Sequence, residues 1–277
     1  MDANQVKKSV VESYGLLAKL KKSGGISKLF SCCGPSETTS EIAEKIGYSK
    51  TDIADAPEDA NLGIGCGNPA ALTKIEKGET VIDLGSGAGF DAFIVSKNVG
   101  DSGKIIGVDL SDDMLTLARK NAKNGNYSNV SFVKGDIEQL PIEDSTADHI
   151  ISNCVINLST NKRQVFNEAY RVLKKGGKLA ISDIVLEKEL PTAIKESLMG
   201  YIACVSGAEK LDDYLQYIEA ARFKDINIIR KTHFPLELML SDPMLIKAAK
   251  QMNLDLSSDT AADLASRVVS ISFSAVK

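Results

Sequence analysis

From Thr80 onward, short apolar runs alternate with longer stretches in which apolar residues recur every three to four positions. The runs predict strands at 80–84, 104–109, 130–134, 147–153 and 178–185. The longer stretches predict helices at 89–99, 111–124, 161–174 and 191–203. Nearly continuous apolar strands alternating with helices specify a parallel sheet covered on both faces. Ser111 before Asp112 and Asp113 suits a helix start, and Lys174-Lys-Gly-Gly177 reads as a helix stop. A further helix at 210–222 precedes a strand at 225–231. The tail 268–277 alternates serine with apolar residues, the pattern of a half-buried strand. It is expected to pair antiparallel with 225–231 at the far edge of the sheet, with 243–267 as a helical insertion. Upstream, Val6, Val10, Leu16, Leu17 and Leu20 predict a helix at 4–22, and Glu41 to Ile46 a second one closed by Gly47. Together these predict an α/β chain: a doubly wound, mostly parallel sheet with an antiparallel edge hairpin, an N-terminal helical segment and a C-terminal helical region.

The first strand runs into Asp83-Leu-Gly-Ser-Gly-Ala-Gly-Phe90. Gly85, Gly87 and Gly89 permit a tight turn and let backbone approach a nucleotide-like ligand. The next strand ends on Asp109, about twenty residues after the last glycine, where doubly wound folds place a carboxylate on ribose hydroxyls. The spacing is G-x-G-x-G rather than G-x-G-x-x-G, and Asp83 stands just before the turn, where it would repel phosphates. A ligand without phosphates, with a cationic centre and an amino-acid end, suits this turn better than a dinucleotide. After the third strand, Asp136 in Gly135-Asp-Ile-Glu-Gln-Leu-Pro141 can accept from an adenine amino group, and Ile137 can pack on the base.

From 78 to 185 the chain resembles class I S-adenosylmethionine-dependent methyltransferases, the segment Tyr170-Arg-Val-Leu-Lys-Lys-Gly-Gly-Lys178 included. The resemblance implies a Rossmann-like methyltransferase sheet with S-adenosylmethionine as cofactor. It implies cofactor contacts at Asp83, Gly85, Ser86, Gly87, Asp109, Asp136, Ile137 and Asn153, with Met114 near the adenine. Asn61-Leu-Gly-Ile-Gly-Cys-Gly-Asn-Pro69, Ser152-Asn-Cys-Val-Ile-Asn-Leu158 and Tyr201-Ile-Ala-Cys-Val-Ser-Gly207 resemble arsenite methyltransferases over about 14–229. In that family the cysteines matching Cys66, Cys154 and Cys204 bind trivalent arsenic. The pair Cys32 and Cys33 matches a region linked there to arsenic entry or to disulfide formation during turnover. Many microbial members also carry cysteines near the C-terminus, whereas none follows Cys204 here. The implied substrate is arsenite or its thiol conjugates, and the implied partner is a thiol reductant of the thioredoxin or glutathione class. The division implied is a cysteine-bearing helical segment at 1–60, a cofactor domain at 61–188, and a segment at 189–277 with the third cysteine, the edge strands and the insertion.

The chemistry is consistent with the resemblance. Trivalent arsenic is soft and prefers thiolate sulfur. Three thiolates leave its lone pair exposed for in-line attack on a sulfonium methyl, so the protein mainly supplies orientation. Only two histidines occur, His149 and His233, which disfavours a histidine metal site or a Ser-His-Asp triad. Two other readings share the frame: a small-molecule C- or O-methyltransferase of the quinone-biosynthesis type, and a cysteine-based metalloid sensor. The first needs no cysteine set, and the second needs no methyl donor.

Bulk properties narrow the setting. The 277 residues are 43% hydrophobic, enough for one large domain or a domain with a smaller companion. A formal net charge of -4 and the absence of tryptophan argue against nucleic-acid partners. No apolar run is long enough for a membrane span, and the N-terminus lacks an apolar signal core. A cytoplasmic protein, with a monomer favoured, is the expectation. Five cysteines without a C-x-x-C pattern are then expected as free thiols rather than as a disulfide framework.

Overall fold

The computed structural model describes residues 2–22, 38–195, 201, 205–233 and 258–277. Seven strands form one sheet in the order β3-β2-β1-β4-β5-β7-β6. They are β1 (Thr80–Leu84), β2 (Lys104–Asp109), β3 (Val130–Lys134), β4 (Ala147–Asn153), β5 (Leu173–Leu186), β6 (Lys224–His233) and β7 (Val268–Val276). The first five are parallel, while β7 runs antiparallel to both β5 and β6. This is the expected doubly wound sheet with its antiparallel edge pair. Strand order reverses between β1 and β4, so a crevice opens at their carboxyl ends, where open α/β sheets bind ligands.

Alternation along each strand sends neighbouring residues to opposite faces. Val81, Ile151 and Ala180 pack with α4 (Phe90–Val99) and α5 (Asp112–Asn124). Ile82, Ile150 and Ile181 pack on the other face with α6 (Lys162–Val172) and the later helix Leu211–Ala220. Because both faces are covered, the strands carry apolar residues at almost every position.

The upstream helices are α1 (Ala3–Lys22), α2 (Thr39–Ile46) and α3 (Lys50–Asp55). The α2 start is a capping box between Thr38 and Glu41, and Gly47 ends it at φ 112°. Helix α1 packs Leu17 and Ala18 against Ala88, Met114 and Leu117, although Leu16, expected on its apolar stripe, is 48% exposed. At Gly15 the crossing is close, since a Cβ there would lie 2.7 Å from Asp113 Oδ2 and the aspartate would have to turn aside.

Two boundaries differ from the sequence reading. Helix α6 ends at Val172 rather than Lys174, and Arg171 occupies its last turn, pairing with Glu168 at 2.8 Å. The residues read as a helix stop belong to β5, which begins at Leu173 opposite Ala147. Gly176, at φ 78°, carries the strand through a register irregularity. Beyond β5 come α7 (Thr192–Lys195), α8 (Leu211–Ala220) and α9 (Ser258–Arg267). The remainder of the helix expected at 191–203 and the start of the insertion expected at 243–267 fall mostly outside the described residues. Among the described residues, no helix is long and apolar enough to cross a membrane.

Candidate active site

The turn after β1 is held by the strand beside it. Gly85 and Ser86 donate their amides to Val108 O at 2.8 and 3.0 Å. Gly85 sits at φ 67°, and a Cβ there would lie 2.3 Å from Val155 Cγ2, so only glycine fits. Gly87 N donates to Asp109 Oδ2 at 2.9 Å, and Ser111 N donates to Asp109 Oδ1 at 2.8 Å. Asp109 therefore ties the glycine turn to the start of α5, at the site expected for a ribose acceptor.

Three acids converge under this turn. Asp83 is buried, and its Oδ2 has no hydrogen-bond partner, nor has the buried Ser86 Oγ. Burial pushes the Asp83 carboxyl well up, and the charges of Asp91 and Asp109 push it further. Burial also raises Asp91, against donors from Tyr48 and Asn153, and raises Asp109 against its amide donors. An orphaned carboxylate oxygen, an orphaned hydroxyl and a surplus of negative charge suit a cationic ligand that brings its own donors. Asp91 and Tyr48 were not among the residues singled out in the sequence. Asp91 sits two residues after the last glycine, where it reads simply as an acid in a first helical turn.

Asn153, expected at the cofactor, is the hub between this floor and the Cys66 loop. Its Nδ2 donates to Gly67 O at 2.8 Å, to Tyr48 Oη at 2.9 Å and to Asp91 Oδ2 at 3.2 Å. Its Oδ1 accepts from Cys66 N at 3.0 Å. Tyr48 completes the network by donating to Asp91 Oδ1 at 2.6 Å. The glycines of the Cys66 loop serve this close approach: a Cβ on Gly67 would fall 2.5 Å from Ser182 Oγ. Ser270 on β7 donates to Cys66 O at 2.7 Å.

Cys66 and Cys154 meet at the carboxyl ends of β4 and β5, as topology implied, but they are joined by a disulfide, with Cα atoms 6.0 Å apart. This corrects the expectation of free thiols. The loop and the strand end are 88 residues apart in sequence, and only the folded sheet brings them together. Cys154 adopts φ 58°, left-handed backbone that is unfavourable for a residue with a Cβ. Its N donates to Ser182 O at 2.9 Å, which fixes that conformation. Such strain collects where a side chain must point in a set direction. Cys32, Cys33 and Cys204 lie outside the described residues.

Beside the sulfurs stands a group the sequence reading passed over. A carboxylate oxygen of Asp183 and both Sγ atoms lie within 4.8 Å of one another. Asp183 is wholly buried on β5, and burial pushes its pKa up to about 6 against the Tyr214 hydroxyl and the Ile184 amide. An aspartate inside the run Ala180-Ile-Ser-Asp-Ile-Val185 was the available signal, because unpaired carboxylates are rarely buried. Around the sulfurs, Leu158, Ile184, Leu186 and Val205 form an apolar wall.

The residues expected at the adenine lie under α1. Met114 and Ile137 are buried. Asp136 Oδ2 pairs with Lys7 Nζ at 2.7 Å, and Glu138 pairs with the same ammonium. Burial opposes ionisation of Glu138, yet Lys7 and Ser159 together hold its carboxyl below the usual range. Helix α1 is thus latched across the carboxyl edge by charge as well as by Leu17 and Ala18.

A reversing parallel sheet, a glycine turn over three acids and a carboxylate closing that turn are suited to a cationic, phosphate-free nucleoside ligand. The chain belongs to the methyltransferase-domain family, whose model matches residues 75–222. It is 42% identical over 200 residues to an arsenite methyltransferase from Halobacterium salinarum, covering 72% of this chain and 51% of that one. It is 33% identical over 218 residues to an arsenite methyltransferase from Mus musculus, covering 75% and 55%. The chain thus spans about half the length of the curated relatives it matches. Its fold is similar to that of an arsenic (III) S-adenosylmethionine methyltransferase from Chlamydomonas reinhardtii, with TM-score 0.63 and 29% identity over 87% of this chain and 74% of that one.

Proposed function

We propose that this chain methylates thiolate-bound trivalent arsenic with S-adenosylmethionine as donor. The observation that carries the reading is the convergence of Cys66 and Cys154 beside a cofactor floor to which Asn153 is directly bonded. A quinone-type methyltransferase would have no use for two cysteines meeting at that place. The residues suit the cofactor: orphaned Asp83 Oδ2 and Ser86 Oγ, the glycine cradle, and Asp109 at the ribose position. When bound there, it supplies a methyl group on a cationic sulfur, for which the arsenic lone pair is the nucleophile.

The protein's own residues do the rest. Asp83 and Asp91 offer negative charge to the cationic end of the ligand. Asp109 accepts from hydroxyls with the lone pairs left by its amide donors Gly87, Leu110 and Ser111. Cys66 and Cys154, once reduced, bind arsenic as a chelating pair, with Cys204 as third ligand. A thiol reductant must open the disulfide before substrate binds, and Cys32 and Cys33 are candidates for passing electrons to the site.

Mass spectrometry of products from arsenite, S-adenosylmethionine and a thiol reductant tests the reading. Methylated arsenicals are expected, and unmodified arsenite after long incubation with cofactor-competent protein would sink it. A second test uses pH. Burial raises the Asp91 carboxyl to about 6, so it takes up a proton as the pH of the apo site falls below neutrality, and the raised Asp83 acts in the same direction. A cationic ligand favours their ionised forms, so binding must release protons and strengthen as pH rises. Calorimetry at pH 5.5 should give an affinity roughly three- to tenfold weaker than at pH 7.5. A flat profile would mean that the acids do not face the ligand's charge.

A further inference from the structure

Asp183 is fully buried, yet three donors hold it as an acceptor. Tyr214 Oη donates to Oδ2 at 2.8 Å, Ile184 N donates to Oδ1 at 2.9 Å, and the Asn157 amide adds a third. Tyr214 is itself wholly buried, packed edge-on against the rings of Phe166 and Phe273. The carboxylate cannot swing away. A carboxylate has about four acceptor positions, so about one remains. A carboxylate oxygen of Asp183 and the sulfurs of Cys66 and Cys154 all lie within 4.8 Å of one another. Two soft donors and one hard acceptor on one small face match a centre that carries two bonds to sulfur and one hydroxyl.

Inorganic trivalent arsenic in neutral water carries three hydroxyls. Two thiols replace two of them: As(OH)3 and two Cys–SH give (Cys–S)2As–OH and two waters. Two As–S bonds form and two As–O bonds break. Each thiol proton leaves on a departing hydroxyl, and no electron is transferred. One hydroxyl remains on arsenic, and it needs an acceptor among the apolar side chains that pack against the sulfurs. We propose that Asp183 accepts a hydrogen bond from this hydroxyl, so that Cys66, Cys154 and Asp183 hold a dithiolate hydroxyarsenical as the first bound form of the substrate. A third thiol, from Cys204 or a small thiol, then displaces the hydroxyl as water and completes the trithiolate. The disulfide must first be opened by an external thiol or phosphine, which is oxidised as the two cysteines gain two electrons and two protons.

This inference rests on the arsenic reading, and its test separates the two. A chain with Cys32, Cys33 and Cys204 changed to serine keeps only Cys66 and Cys154. It is reduced with a phosphine, which opens the disulfide without adding a competing thiol. Calorimetry then compares arsenite with methylarsonous acid, CH3As(OH)2. The first keeps one hydroxyl after binding two thiols, while the second keeps a methyl group and no hydroxyl. Asp183→Asn in this background should weaken arsenite by about tenfold or more, because a charge-assisted bond is lost. Methylarsonous acid should change less than twofold. If Asp183→Asn does not fold, the smaller Asp183→Ser is read in the same way. The ratio of the two affinities is the readout, because a purely structural role lowers both together. Equal loss of both ligands, or no loss of either, overturns the inference. Failure of the parent two-cysteine protein to bind either arsenical overturns the inference, and failure of the reduced full chain to bind arsenite overturns the arsenic reading itself.

Discussion

Cys154→Ser is expected to abolish methyl transfer to arsenite, to below about one part in a hundred of wild type, while cofactor affinity stays within twofold. Serine keeps the size of the side chain but offers a hard oxygen that stays protonated, and trivalent arsenic selects soft thiolate. With only Cys66 and Cys204 left, the set of three thiolates is broken and the arsenic lone pair is no longer held at a set angle to the cofactor. Cys154 is bonded to β5 through its backbone, and the hydrogen bonds of Asn153 run to Cys66 N, Gly67 O, Tyr48 and Asp91, so the cofactor floor should survive. Folding is controlled by a second variant. Cys154 stands at φ 58°, which glycine adopts without strain, so Cys154→Gly should fold at least as readily in reductant and still be inactive. Stability gives an independent reading. The disulfide closes a sequence separation of 88 residues, and cross-links of that kind contribute about 2–4 kcal/mol. Oxidised wild type should therefore melt above Cys154→Ser, and the gap should close under reductant. Full methylation by either variant would remove Cys154 from the reaction.

The sheet was legible because its physics is local. Runs such as Thr80–Leu84 and Ala147–Asn153 are bounded by glycine, polar residues and amphipathic helices, and each strand appears where its run lies. The alternating serines of Val268–Val276 announced the antiparallel pairing, but the strand is not half-buried: Ser272, 3.0 Å from Ser182 Oγ, is buried like Phe273, because β6 and β5 flank the strand and both its faces are covered. The start of β5 was misread because lysines followed by two glycines satisfy a local rule for ending helices. Pairing of Leu173 with Ala147, a long-range contact, overrides that rule. The same division holds at the site. Asp83, the glycines and Asp109 form a linear motif and were found. Tyr48 and Asp91 are 43 residues apart, and Asn153 is 105 residues from Tyr48, so their network exists only in the fold. Cysteine chemistry was visible in the local motifs, but the partner of each sulfur was not. Asp183 was hidden for a related reason: within a strand run it reads as one polar residue, and its meaning depends on two sulfurs brought from elsewhere.

Asp109→Ala should weaken S-adenosylmethionine by about tenfold to a hundredfold, the range for losing charge-assisted hydrogen bonds. Two causes contribute, and the structure separates them. Asp109 accepts from Gly87 N and Ser111 N, so its removal frees the glycine turn and the first turn of α5. Each carboxylate oxygen also keeps lone pairs for the ligand, and burial raises the carboxyl's pKa despite the amide donors, which shows that the site tolerates its charge at some cost. If turn closure were the whole role, every ligand would weaken alike and the melting temperature would fall with affinity. If Asp109 grips the ribose, the loss should depend on the hydroxyls. A 2′-deoxy analogue of the cofactor provides the comparison. Wild type should bind the analogue several-fold more weakly than the full cofactor, whereas Asp109→Ala should bind the two nearly equally. Asp109→Asn should fall between, because it keeps one acceptor oxygen but loses the charge. Both ligands are measured by calorimetry on the same preparations, with thermal unfolding alongside. A deoxy penalty of the same size in Asp109→Ala as in wild type would take the ribose away from Asp109 and leave it as the clasp of the glycine turn.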